Sequence, residues 1–172
     1  LNVIHYLFFT LLLAQTADTC PMHEQHMREA SAARSDHEHG AAVDTRHDTF
    51  GMPHDGVRHS FRLLRTGGVI ELQATTDDAA VTRAIREHLR SVAADFTKAD
   101  FEKPLFVHGT MPEGVSDMVR LRGAIEYKFE ELPRGGEVRI STKDPAALEA
   151  VHKFLKFQVE EHRTGDPGVV EP

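Results

Sequence analysis

Two glycine pairs, Gly67-Gly68 and Gly135-Gly136, sit at the same place in two similar stretches of this chain. Glycine takes positive φ without steric cost, so such a pair between two alternating runs closes a tight hairpin. The stretch "HSFRLLRTGGVIELQATTDDAAVTRAIREHL" is echoed by "YKFEELPRGGEVRISTKDPAALEAVHKFL". Each copy reads strand, turn, strand, capped helix. The expected fold is therefore α+β: a two-layer ββα-ββα pseudo-repeat, with a four-stranded antiparallel sheet and two helices on one face.

Side-chain alternation supports the strands. His59, Phe61 and Leu63 share one face of the first, opposite Arg58, Ser60 and Arg62. Ile70, Leu72 and Ala74 point inward from the second. Ile125, Tyr127 and Phe129 do so from the third, and Val138 and Ile140 from the fourth. Each strand has one apolar and one charged face, as an antiparallel sheet with one wet side requires. The first helix follows Thr76, Asp77 and Asp78 as candidate caps, with an apolar arc of Val81, Ala84, Ile85, Leu89, Val92 and Phe96. The second starts at Asp144-Pro145, with an arc of Leu148, Val151, Leu155 and Val159, and Gly165 is its expected stop. Between the repeats, an extended piece is expected at Leu105–His108 and a short helix near Ser116–Leu121.

Upstream of the repeat the composition changes. Residues 6 to 14 are mostly apolar, too short to span a bilayer but of the length of a signal-peptide core, and Ala14 and Ala17 are small as a signal peptidase needs. The expected organisation is a signal peptide over 1–17, a His- and Met-rich flexible arm over 18–57, the α+β domain over 58–166 and a disordered tail over 167–172. Export to the periplasm or the medium follows, with no membrane span and a lipid anchor at Cys20 as an option. The net charge of −7 argues against nucleic acid, whose phosphates call for a basic face. The single Cys excludes an internal disulfide.

Twelve His is a high count for 172 residues, and seven of them fall between residues 20 and 59. The segment "CPMHEQHM" holds Cys20, Met22, His23, His26 and Met27. Thiolate and thioether are soft ligands that favour Cu(I), and imidazole suits copper and zinc. In a helix Met22 and His26 share a face, as do His23 and Met27. Further on, "DHEH" and His47 and His54 offer loose uptake or a solvated linker. Neither "HEQH" nor "DHEH" has the spacing of HExxH. Within the domain, periodicity places five imidazoles on inner faces: His59, His88, His108, His152 and His162. Buried imidazoles require partners, either a metal, a ligand or nearby polar groups.

The first four residues of "CPMHEQHM" resemble the Cys-Pro-Met-His signature of small heavy-metal-binding modules on bacterial copper-transport proteins, where Pro rather than Glu24 usually follows. The domain resembles a family of uncharacterised exported bacterial proteins. It shares their His-Phe strand start (His59, Phe61), "RTGGVIEL", "IREHL", "KPLFVH", "VRISTK" and "VHKFLKFQVEEHRTGD", over about residues 54 to 166. Many members carry two adjacent His before the Phe, whereas this chain has His59-Ser60. The five inner His match family positions. Some relatives carry an aspartate carbamoyltransferase label, but the Ser-Thr-Arg-Thr phosphate loop of that enzyme is absent here and the chain is too short.

The expected function is an exported metal-binding protein, with copper favoured over zinc or haem, acting in sequestration or delivery. A non-metal interaction module with structural His is the alternative, as is a metal- or haem-dependent enzyme. The chain has no G-x-S-x-G and no Cys-x-x-Cys-His, and its one Cys lies outside the domain, so binding is favoured over catalysis.

Overall fold

A computed structural model describes residues 52–171 throughout and, upstream, residues 25, 28, 29, 32, 38, 40–43, 45, 46 and 48–50. The chain divides into two units, residues 1–36 and 37–172. In the first, the described residues are helical and exposed, with Gln25 Nε2 donating to Glu29 Oε1 at 2.9 Å.

The second unit is the expected α+β fold. Its elements are β1 (Val57–Leu64), β2 (Gly67–Ala74), α1 (Ala79–Thr97), α2 (Glu102–His108), α3 (Val115–Arg120), β3 (Ile125–Leu132), β4 (Gly135–Thr142) and α4 (Pro145–Glu161). The sheet is antiparallel throughout, in the order β1-β2-β4-β3. Ile70 and Val138 hold the same place in the two repeats and face each other across β2 and β4. A pseudo-twofold axis therefore passes between them. Among the described residues, no helix is long and apolar enough to cross a membrane.

Both long helices begin as their sequences dictate. Asp78 accepts from the N–H groups of Ala80 and Val81, and Asp144 from those of Ala146 and Ala147, so each carboxylate satisfies donors the helix cannot. Each helix then packs mainly on the strands of the other repeat: α1 on β3 and β4, α4 on β1 and β2. The glycine pairs permit this crossing. A Cβ on Gly68 would lie 2.1 Å from Leu155 Cδ1, and one on Gly136 3.4 Å from Leu89 Cδ1. The core between the layers holds Ile85, Leu89, Phe96, Val151, Phe154 and Leu155 with the inner faces of the strands.

The helices also grip the hairpins they cross. Arg86 of α1 donates through Nε to Gly135 O (3.0 Å) and through Nη2 to Leu132 O (2.6 Å). His152 holds the equivalent place on α4. Its Nε2 lies 2.9 Å from Leu64 O and 3.0 Å from Gly67 O, so a proton on that nitrogen is shared between the two carbonyls.

Three expectations are corrected. Residues 105–108 are the last part of α2, not extended, and Gly109 closes that helix at φ 69°. The compact unit starts at residue 37, not 58. Described residues between 38 and 48 are helical, Val43 and Met52 are buried, and Arg46 Nη1 donates to Val107 O at 2.9 Å. Among its described residues, Val43, Arg46 and Met52 anchor this stretch, and anchoring by such separate side chains needs no sustained apolar period. The C-terminal residues are also engaged: Val170 bridges Leu63 in parallel, Glu171 N donates to Leu63 O, and Glu171 pairs with Arg62. They occupy the free hydrogen-bonding edge of β1, which would otherwise face solvent.

Candidate functional site

The inner end of β1, the end of α2 and the end of α4 meet at one cleft. His59 comes from β1, His108 is the last residue of α2, and His162 is the C-cap of α4. The rings of His59 and His162 stack at 5.0 Å with 11° between their planes. His108 meets His162 edge-on, also at 5.0 Å. Phe61 supports the cluster from the strand, 5.3 Å from His162, and Phe157 does so from the helix, 5.2 Å from His108. These three imidazoles line a cavity of about 50 Å³ with His88, Lys103 and Gln158, over an apolar floor that includes Val92, Phe96 and Phe154. His88 also packs against Phe50, at 4.8 Å.

The local sequence explains how each imidazole arrives. Alternation on β1 turns His59 to the same side as the buried Phe61. Gly109 takes the left-handed conformation that ends α2 at His108. His162 lies one helical turn past Gln158 and accepts its place as the last capped residue, its N–H donating to Gln158 O at 3.0 Å.

One hydrogen bond orients the His108 ring. Nε2 lies 3.0 Å from Gln158 Oε1, and since an amide oxygen only accepts, Nε2 is the donor. Nδ1 faces Glu161 Oε2 at 3.5 Å. At 2% exposure, His108 meets Gln158 inside the protein, where such a bond is stronger than in water.

The pseudo-symmetry shows what the fold itself demands at this place. The repeat that puts His59 on β1 puts Tyr127 on β3. The one that puts His162 at the end of α4 puts Phe96 on α1, and Gln158 corresponds to Val92. Tyr127 and Phe96 pack edge-on at 5.6 Å, the counterpart of the His59–His162 pair. One half thus fills the position with a phenol, a phenyl and an isopropyl group, and the other with two imidazoles and an amide. Packing alone does not require the polar set.

Of the ten residues singled out from the sequence, the structure brings His59, His88, His108 and His162 to this one cavity. It separates His152, which clamps the first hairpin instead; its helix crosses that hairpin, a long-range relation that periodicity does not encode. Cys20, Met22, His23, His26 and Met27 lie outside the described residues. Among the described residues, no three His, Cys, Asp or Glu side chains stand ready to hold a metal ion. With the rings stacked, imidazole nitrogens converge only after rotation about χ2, a soft torsion for His.

Gln158 and Lys103 are functional candidates that the sequence pattern passes over. The signal for Gln158 is a polar residue inside an apolar helical arc, between Leu155 and Val159. Lys103 pairs with Asp95 at the cavity wall. No family model, curated protein or solved structure matches the chain.

Proposed function

We propose that this is an exported metal-binding protein for copper sequestration or delivery, with the imidazole cleft of the domain as one binding site and the Cys-Met-His arm as another. The observation that carries the reading is the asymmetry of the pseudo-repeat. Imidazoles from three separate elements meet where the other half of the fold uses Tyr127 and Phe96. Imidazole binds copper and zinc, and the choice of copper rests on the soft donors Cys20, Met22 and Met27. Binding in the cleft would turn the His59 and His162 rings out of their stack. Gln158, accepting from Nε2 of His108, would orient that imidazole as second partners orient metal-bound ones, with Nδ1 as the nitrogen that meets the metal.

The test is titration of the full chain and of residues 37–172 with Cu(I), Cu(II) and Zn(II), reading bound metal and melting temperature. The expected result is stoichiometric binding by both, with the domain site lost in the combined His59→Tyr and His162→Phe variant, which copies the other half of the fold. Binding by the full chain alone would confine the function to the arm. A second reading, an interaction module with structural histidines, is favoured by the nearly parallel stacking of His59 on His162. It is the one that stands if neither chain binds metal.

A further inference from the structure

We infer that the cleft also binds a carboxylate of one or two carbons, formate or acetate, seated between the imidazoles and the apolar floor with its oxygens on the amide of Gln158. The inference rests on the same cleft but not on the metal.

Gln158 is 5% exposed and lines the cavity. Its Oε1 is taken by His108, and its Nε2 is buried with no hydrogen-bond acceptor among the described residues. A buried amide N–H without an acceptor is a standing cost to the fold. The same fold shows how to avoid that cost, since the equivalent place in the first repeat is Val92. A polar group kept where an apolar one fits, with a donor left over, points to a ligand that accepts.

The size and polarity of the space narrow the class. The cavity is small, about 50 Å³, above the roughly 10–15 Å³ that a single water needs, and a ligand of a few heavy atoms such as acetate matches that scale. Its floor of Val92, Phe96 and Phe154 suits a methyl group. A carboxylate is favoured over a neutral carbonyl because it brings accepting oxygens to both N–H groups of the Gln158 amide, and because Lys103, paired with Asp95, places an ammonium at the wall. Glu161 meets the other ring nitrogen of His108 and is not part of the lining.

The experiment uses the full chain in excess chelator, so that its outcome is independent of metal binding. Carboxyl-labelled acetate is titrated by ¹³C NMR, with melting temperature as a second readout and ethylammonium and butyrate as controls of charge and length. Saturable acetate binding is expected, with at least tenfold weakening in Gln158→Leu and weak or no binding of either control. Gln158→Glu keeps an acceptor for His108 and replaces the donor with a carboxylate oxygen. It serves if the leucine variant does not fold, and is expected to lose acetate too. Failure of the folded protein to saturate, acetate affinity unchanged in either variant, or equal binding of ethylammonium would each overturn the inference.

Discussion

Replacing His152 and replacing His162 should have opposite consequences, although both look alike in the sequence. His152 gives one shared N–H to Leu64 O and Gly67 O, at 2.9 and 3.0 Å. A shared proton counts as about one hydrogen bond, roughly 1 kcal/mol net. The half-buried ring adds about 1 kcal/mol of apolar contact. His152→Ala should therefore cost about 2 kcal/mol, seen in urea as a lower midpoint at unchanged slope, or as a fall of roughly 6–10 °C in Tm. Metal uptake by the domain should not change. His162→Phe should stay within about 1 kcal/mol of the parent protein, because Phe96 already occupies the equivalent place and exchanges of similar volume are tolerated. That variant should lose domain metal binding. A neutral His152→Ala, or a His162→Phe protein destabilised by more than about 3 kcal/mol, would refute the division of the histidines into clamp and site.

Further expectations concern the hairpins, the alkaline limb and the C-terminal strap. Gly68→Ala should cost about 3 kcal/mol and Gly136→Ala about 1–2 kcal/mol in urea denaturation, since the new Cβ would lie 2.1 Å from Leu155 Cδ1 in the first case and no nearer than 2.8 Å to any atom in the second. Burial raises the Tyr127 hydroxyl above its ordinary value of 10.0. The folded state therefore favours the neutral phenol, and that contribution is complete below about pH 10 and lost as the pH rises beyond it. Stability measured from pH 8 to 11.5 should fall above pH 10, and Tyr127→Phe should flatten that fall. Asp166 accepts from Ser60 Oγ (3.0 Å) and Phe61 N (2.8 Å). Asp166→Ala should cost about 1–3 kcal/mol and speed proteolytic cleavage after residue 163.

What was legible in the sequence was local. The Asp78 and Asp144 caps and the period-two strands stand where alternation and capping chemistry put them. The hairpins, however, turn at Arg65-Thr66 and Pro133-Arg134, one step before the glycine pairs, which are already the first residues of β2 and β4 and serve close packing instead. What was not legible depends on which element crosses which. Periodicity runs the arc of α4 through Leu148, Val151, Leu155 and Val159, but the buried residues are Ala147, Ala150, Val151, Phe154, Leu155 and Gln158, because the helix rests on the strands of the first repeat. His152 falls off that arc and onto the hairpin for the same reason. Residues 105–107 form a short apolar run that passes for a buried strand, yet Glu102 at the first turn and Gly109 at the close make a short helix. His59, His88 and His162 could be gathered by face, whereas His108 is inward for a different reason than an extended segment would give, since it ends a helix on which Phe106 is exposed. Their convergence on one cavity, and the role of Phe50 and Arg46 beside it, needed the third dimension.

The exchange of helices between the repeats also sets the order of events during synthesis. A growing chain releases β1, β2 and α1 before either strand that α1 will rest on exists. A lone hairpin is marginal in water, and its own helix is shaped for a different partner. β1 and β2 in turn wait for α4, which ends at Glu161, only a few residues before the last strap on the β1 edge. Nearly the whole chain must therefore be available before either half gains its core. Folding is late, dominated by contacts between distant segments, and slow for a chain of this size. A nascent chain stopped after the first repeat has no half-domain to fall back on.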